Sequence, residues 1–324
     1  MRSSLRFYST TGLACAAVML SVSAFSQEAP QVDTATARTQ APSQQFVDEQ
    51  VVVRGQRLSE VEFDLPEYVN QFIGEVVSLP AGAGFARWHQ KVCIGVNNLE
   101  LSAAQYIVDR ISMLARDVGL EAGEPGCRPE VFLIFTTDAD TLASYMVENE
   151  PLLFRPGMGE CCQQLGLAAL DEFVESDAPV RWWHVSMPTS SHTGDRAGIT
   201  AKDPPGTYPV ISVAGPSRVH NGVRDELQYV ITIVDATQLN GTSWQQIGDY
   251  LALVSLAQIN PNADPANFDS ILNLFTNPSA YSGLTDWDRT YVRALYEINL
   301  ERFRNLQQNN VVSHIVRQEQ AQIE

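Results

Sequence analysis

Val131-Phe132-Leu133-Ile134-Phe135 is the stretch of this sequence that decides the fold, because its apolar residues follow one another without a polar break. A run of this kind predicts a strand that is covered on both faces. Upstream, Val92 to Val96 predicts another strand, and a helix from Ser102 to Gly119 with one apolar face connects the two. A second helix is expected from Asp138 to about Glu148. The folded region therefore opens with the order strand, helix, strand, helix.

The second half of the chain continues with strands and then with helices. Val180 to Ser186 and Leu227 to Val234 predict strands, and Pro209 to Ala214 predicts an edge strand between them. We expect Thr242 to cap a long helix. The capping box Thr285-Asp286-Trp287-Asp288 then begins the last clear helix. Together these elements predict an α+β fold, a mixed twisted sheet with packed helices.

The start of the chain predicts export. Residues 1–26 place two arginines ahead of a short apolar stretch and end in small residues, which is typical of a secretion signal cleaved after Ser26. The stretch is shorter than the roughly 20 residues that a membrane-spanning helix needs. The mature protein is therefore expected to be periplasmic or secreted, without a transmembrane span.

Composition divides the remaining chain into three parts. Residues 27–59 are rich in Gln, Ala, Pro, Thr and Ser and predict a flexible leader. Residues 60–306 contain no convincing linker, so we expect one domain there. Residues 307–324 are rich in Gln and are expected to form a polar tail that frays.

The acidic composition limits the kinds of partner. The whole chain carries a formal net charge of −17, and removal of the signal leaves 19 basic against 38 acidic residues, a net charge of −19. This charge repels nucleic acid and anionic lipid. The sequence also lacks the glycine-rich phosphate loop, the dinucleotide-binding fingerprint and the G-x-S-x-G elbow of serine hydrolases.

The cysteines that remain after cleavage predict disulfides, because their number is even and the chain is exported. We expect Cys93 to pair with Cys127, since each borders a predicted core strand and the helix between them brings these strands side by side. Cys161 and Cys162 either form a strained vicinal bridge or stay reduced. Zinc at this pair is disfavoured, because no second closely spaced Cys or His pair accompanies it.

Two stretches near the C-terminus carry a resemblance to a known family. Leu284-Thr285-Asp286-Trp287-Asp288-Arg289-Thr290-Tyr291-Val292-Arg293-Ala294-Leu295-Tyr296 resembles the closing helix of metzincins, which begins with Leu-Ser/Thr and an Asp and ends in Leu-Tyr. Ser270-Ile271-Leu272-Asn273 resembles their Met-turn, with Leu272 in place of the methionine. The order of elements over residues 87–300 is also similar to the zincin peptidases and to secreted bacterial proteins of unassigned function. The resemblance implies a zincin-like fold with a cleft.

The sequence departs from this family at the metal site. Zinc peptidases need two histidines one helical turn apart, with a glutamate beside the first. None of the histidines lies on the helix from Thr242 to Gln258, and the polar pair at matching spacing there is Gln245 with Asp249, a poor zinc site. The histidines are His89, His184, His192, His220 and His314. The resemblance therefore implies a degenerate zincin-like domain without a metal or other cofactor.

We therefore predict a non-catalytic domain that binds a peptide or a cell-envelope component in the cleft. The expected contacts are Gln245, Asp249 and Tyr250 on the central helix, with His184 nearby. Alternation along the strand Trp182-Trp183-His184 favours buried tryptophans and a solvent-facing histidine. The edge strand Pro209 to Ala214 is expected to receive an extended ligand.

Two other functions stay open. One is a hydrolase with a non-standard metal or carboxylate site, which convergence of His184, His192 and His220 would favour. The other is an envelope scaffold tethered through its leader, with Val51 to Arg57 as the docking segment.

Overall fold

The computed structural model describes residues 64–80, 82–155, 165–197, 211, 213 and 220–323, which belong to one compact unit. The expected signal peptide and leader and the pair Cys161–Cys162 lie outside these residues. The expected edge strand also lies outside them, apart from Ile211 and Val213, which are not in a strand.

The described residues form both helices and strands, as expected for a mixed fold. The helices are α1 (Leu65–Glu75), α2 (Leu101–Asp117), α3 (Ala139–Asn149), α4 (Pro151–Phe154), α5 (Leu167–Glu175), α6 (Trp244–Leu256), α7 (Asp286–Glu297) and α8 (Arg304–Ile323). The strands are β1 (Ala86–Arg87), β2 (Lys91–Val92), β3 (Ile94–Asn97), β4 (Glu121–Ala122), β5 (Val131–Thr136), β6 (Val180–Ser190) and β7 (Val223–Asp235).

The main sheet is mixed. β3, β5 and β7 lie side by side in parallel, and β6 pairs antiparallel with the opposite edge of β7. β1 pairs in parallel with the beginning of β7, on the same edge as β5, while β2 and β4 form a separate parallel pair. The β6–β7 pairing is the longest, with an irregularity in register between Val185 and Ser186. β6 is therefore an antiparallel strand at one edge of a parallel sheet.

Apolar side chains cover both faces of this sheet. Val131, Leu133 and Phe135 belong to a large core cluster that includes residues of α1, α2, α6, α7 and α8. Phe132 points the other way and packs against a smaller cluster of α3, α4, α5 and Trp183. Phe132 is only partly buried, so the prediction of a strand covered on both faces is confirmed for the face toward the large core and only in part for the other.

α6 lies at the centre of the larger core. Every residue from Gln246 to Leu256 is buried, which is the pattern of a helix packed on all sides. α2 packs along it closely, because Gly248 has no side chain and an added Cβ would lie 3.0 Å from the Cβ of Arg110. The helix is capped by Ser243, whose hydroxyl accepts a hydrogen bond from the Gln246 amide, so the expected cap at Thr242 is one residue early.

The C-terminal segment does not fray as the sequence predicts. It forms α8, in which Val311 and Ile315 are buried. Gln307 is also buried, and its Oε1 accepts a hydrogen bond from the Phe85 amide at 2.9 Å. Its Nε2 donates to two backbone carbonyls of the preceding loop. The buried residues Gln307, Val311 and Ile315 recur once per helical turn. The polar residues between them hide this periodicity in the sequence.

The expected disulfide between Cys93 and Cys127 is present, with the two Cα atoms 6.1 Å apart. It joins the start of β3 to the loop before β5. These two strands are parallel neighbours, as the prediction of the disulfide assumed. Among the described helices, none combines the length and apolar character needed to cross a membrane.

Candidate functional site

The first turns of α6 carry two of the predicted ligand contacts. Asp249 is buried and forms a bidentate ion pair with Arg110 of α2, with 2.8 Å between Nε and Oδ1 and 2.6 Å between Nη2 and Oδ2. Asp249 Oδ2 also accepts a hydrogen bond from the Leu284 amide at 3.0 Å. Gln245 is exposed, and its Nε2 donates to the Ser282 carbonyl at 3.0 Å. Both side chains therefore fix the segment that leads into α7.

Tyr250, the third predicted contact on α6, lies in the core. Its ring packs against Phe275 and Trp182, with centroid distances of 5.1 Å and 6.1 Å. Burial raises the pKa of the Tyr250 phenol above its usual value, so the side chain is neutral. The role of this residue in the structure is packing between α6 and its neighbours.

His184 is buried, and the prediction of a solvent-facing histidine is wrong. Its Nε2 donates to the Val254 carbonyl of α6 at 2.7 Å. Burial lowers the pKa of His184 to about 4, against the smaller opposing effect of this hydrogen bond, so the imidazole is uncharged at neutral pH. The expectation failed because β6 is covered on both faces, with Trp182 on the α6 side and Trp183 on the α5 side, both buried as predicted.

Buried aromatic side chains surround the C-terminal end of α6 and bond to its backbone carbonyls. A helix leaves its last carbonyls without partners inside the helix, and buried carbonyls need donors. Here aromatic side chains supply them, which also satisfies their own polar atoms. The bonds are His184 to Val254, Trp88 to Ser255 at 2.8 Å, Tyr296 to Leu256 at 3.0 Å and Trp182 to Ile259, just beyond the helix, at 2.9 Å.

The structure therefore does not bring the four predicted contacts together at one open surface. Gln245 and Asp249 lie at the beginning of α6, and His184 contacts the carbonyl of Val254 near its end. His192 is exposed in the turn after β6. Within the described ranges, no group of three or more His, Cys, Asp or Glu side chains is placed to hold a metal ion.

A groove on the second face of the sheet is the candidate site that the sequence analysis missed. We call it the sheet-face groove; it has a volume of about 470 Å³ and lies where the cover of α3, α4 and α5 ends. Its floor is largely apolar, and Arg128 and Arg196 line it as well. The apolar and aromatic residues are Pro129, Phe132, Leu153, Val185, Met187 and Tyr229.

The two arginines distinguish this groove electrostatically. Both are exposed, and neither has an ion pair or a side-chain hydrogen bond to the described part of the chain. The acidic residue that lines the groove, Glu130, uses one carboxylate oxygen to accept a hydrogen bond from the Cys93 amide at 3.2 Å. In a chain with a net charge of −17, the groove thus combines an apolar floor with two guanidinium groups that have no acidic partner in the described part of the chain, and such a surface attracts anionic groups.

Arg128 extends the site beyond this groove. Together with Glu130 it also lines a neighbouring cavity of about 440 Å³, which lies beside the disulfide and is lined by Lys91, Glu121 and Glu124 as well. The groove and this cavity therefore adjoin at the side chains of Arg128 and Glu130. No local motif marks the arrangement, because its residues come from segments that are far apart in the sequence.

The sheet-face groove is defined by its contacts and charges alone. Its charge comes from two arginines that have no ion pair in the described part of the chain. Gln245 and Asp249 on α6, by contrast, hold other segments of the protein in place. Comparisons with protein-family models, with curated proteins and with solved structures found no match to this chain.

Proposed function

We propose that this chain is an exported, non-catalytic zincin-like domain that binds an extended peptide or a cell-envelope component in the sheet-face groove. The observation that carries the proposal is an apolar floor next to Arg128 and Arg196, which have no acidic partner among the described residues. Apolar side chains are stabilised by burial on such a floor, and guanidinium groups bind carboxylates through charge-assisted hydrogen bonds. A peptide with apolar side chains and an acidic side chain or terminal carboxylate matches both features.

The zincin-like plan is supported by the order of the elements. An antiparallel edge strand, β6, adjoins the parallel strands β7, β5 and β3, and the central helix α6 and the later helix α7 follow in the chain. β6 and β3 lie at the two edges of the described sheet, and the expected edge strand Pro209 to Ala214 stays a prediction.

Contacts of Asp288 also support this plan. Its Oδ1 accepts a hydrogen bond from the Ser270 hydroxyl at 2.6 Å, and its Oδ2 accepts one from the Ile271 amide at 2.9 Å. The same side chain completes the capping box with Thr285. The stretch that resembles a Met-turn is therefore joined directly to the helix that resembles the closing helix of metzincins.

The non-catalytic part of the proposal is supported by the contacts of α6. At the spacing of the family's metal ligands, Asp249 is already paired with Arg110, and Gln245 binds a backbone carbonyl. One turn further along the helix, Leu253 is in the core. These positions stabilise the domain internally, whereas Arg128 and Arg196 in the groove have no ion pair within the described residues.

The extent of the site favours an extended ligand. The groove and the cavity beside the disulfide adjoin at Arg128 and together have a volume of about 900 Å³. Arg128 and Arg196 both line the groove, whereas Lys91 lines the second part together with Glu121 and Glu124, so the positive charge is concentrated in the groove. An extended segment of several residues would place its carboxylate in the groove and reach the second part with its other residues.

A library experiment tests the proposal. The mature chain, beginning at Gln27, is screened against randomised peptides, and the best binder is measured by fluorescence anisotropy. We expect apolar peptides with a carboxylate, and we expect the double variant Arg128→Glu/Arg196→Glu to bind roughly tenfold more weakly or worse, because reversed charges repel the ligand.

Arg293→Glu is the matched control, since Arg293 is exposed on α7 and lines neither the groove nor its neighbour. Equal binding by the groove variant and this control would overturn the proposed site. Cleavage of library peptides would overturn the non-catalytic proposal and support a hydrolase.

A further inference from the structure

A second polar pocket lies at the opposite edge of β7 from β6. We call it the Arg87 pocket; it has a volume of about 240 Å³ and is separate from the sheet-face groove. β1, the beginning of β7 and the connection from α7 to α8 form it. Its lining residues are Arg87, His89, Arg224, Glu226, Ile298, Asn299, Leu300 and Glu301.

Arg87 is the unusual member of this pocket. Its guanidinium lies over the ring of Tyr296 at 5.4 Å and donates from Nη1 to the Leu295 carbonyl at 2.6 Å. No carboxylate of the described residues lies within salt-bridge distance of it. Burial lowers the pKa of Arg87, and the nearby charge of Arg224 adds to this effect. A guanidinium has five N–H donors, and the bond to the Leu295 carbonyl uses one of them.

Of the other charges of the pocket, those of Arg224 and Glu226 compensate each other, whereas Glu301 is compensated only when His220 is protonated. Arg224 Nε donates to Glu226 Oε1 at 2.6 Å, and His89 Nδ1 lies 4.0 Å from the same oxygen. Glu301 lies 4.0 Å from His220 Nδ1, with both side chains about two-fifths exposed. Arg87 therefore contributes the positive charge that has no close carboxylate.

We propose that the Arg87 pocket binds a small organic monocarboxylate, whose carboxylate accepts hydrogen bonds from Arg87. The guanidinium of Arg87 matches one negative charge, and Glu226 and Glu301 repel a second. Ile298 and Leu300 supply an apolar wall for a short carbon chain. The volume of the pocket fits a ligand of a few heavy atoms.

His89 makes this binding dependent on pH. In the free protein, burial and then the neighbouring Arg224 lower the pKa of His89, while Glu226 opposes them. The charged groups around it are those of Arg87, Arg224 and Glu226. A bound carboxylate adds a negative charge, which favours protonated His89. Affinity is therefore expected to rise as the pH falls from 7.5 to 5.5, where a simple carboxylic acid is still ionised.

Titration with acetate tests the proposal, with chloride and phosphate at equal ionic strength as the other arms. Chemical shifts of the Arg87 side chain and the His89 ring are followed by NMR in the mature chain. We expect saturable shifts with acetate, a higher His89 pKa in its presence, and weaker binding of phosphate. Arg87→Lys keeps a donor for the Leu295 carbonyl but loses the planar fork, so its affinity for acetate should fall roughly tenfold.

Arg116→Gln is the control variant, because Arg116 is exposed on α2 and does not line the pocket. Acetate shifts that match those of chloride, or an affinity for acetate unchanged in Arg87→Lys, would overturn the site. Tighter binding of phosphate than of acetate would overturn the assignment to a monoanion.

Discussion

At the scale of single residues, His184 makes the stability of the protein depend on pH. Its folded-state pKa is about 4 and its ordinary value is 6.5, so below pH 6.5 the unfolded chain takes up the proton first. The free energy of unfolding should fall between pH 7 and pH 4, by up to about 3 kcal/mol from this group. Urea unfolding of the wild type and His184→Gln across this range measures the effect.

His192→Gln is the control for that measurement, since His192 is exposed in the turn after β6. The pH slope should become shallower in His184→Gln and stay unchanged in the control. Equal slopes in all three proteins would contradict a buried, neutral His184.

Asp249 and Arg110 give a second prediction at this scale. Asp249→Ala leaves the guanidinium of Arg110 and the Leu284 amide without their partner, so the free energy of unfolding should fall by about 3–5 kcal/mol. The double variant Arg110→Met/Asp249→Leu removes both charges and should recover part of the loss, as chemical denaturation would show. A loss below about 0.5 kcal/mol in Asp249→Ala would assign this residue to a surface role, such as ligand contact.

The sequence predicted which element and which face a residue occupies better than it predicted the residues that it contacts. The spacing of Gln245 and Asp249 on one helix was correct, but Arg110 lies on a different helix and carries no local signal of the pairing. Alternation placed Trp182 and Trp183 on opposite faces of β6, as observed. Alternation does not reveal that both faces are covered, and this is why His184 was expected in solvent.

At the scale of elements, apolar periodicity and capping residues were reliable. The capping box at Thr285 and Asp288 begins α7 as predicted, and the apolar run at Val131 forms β5. The disulfide between Cys93 and Cys127 was predicted from the strands that these residues border, β3 and β5, and it is present. α8 was missed because one docking residue per turn gives a weak pattern among Gln and Asn residues.

The docking of α8 can be tested at Gln307. Gln307→Ala removes the acceptor of the buried Phe85 amide and the donor to two loop carbonyls, so the protein should lose about 2 kcal/mol of stability. Gln320→Ala, at an exposed position of the same helix, should change it by less than about 0.5 kcal/mol. Thermal or urea unfolding compares the two variants. Equal stability of both would show that α8 is not held by this side chain.

At the scale of the whole molecule, the sheet has two unequal covers. α2 and α6 cover one face within the large core, whereas α3, α4 and α5 cover only part of the other. The sheet-face groove is the part that these three helices leave open, and its residues come from β5, β6, β7, α4 and two loops. The sequence predicted the strands, but not where their cover ends, because that depends on the packing of several helices.

The central claim is that an extended ligand lies in the sheet-face groove, and hydrogen exchange of the mature chain with and without the selected peptide tests it most directly. The claim predicts slower exchange at backbone amides around Arg128, Met187, Arg196 and Tyr229, with the amides of α6 unchanged. Slower exchange confined to the beginning of α6 and the segment around Ser282 would contradict it and would place the ligand at Gln245 and its neighbours.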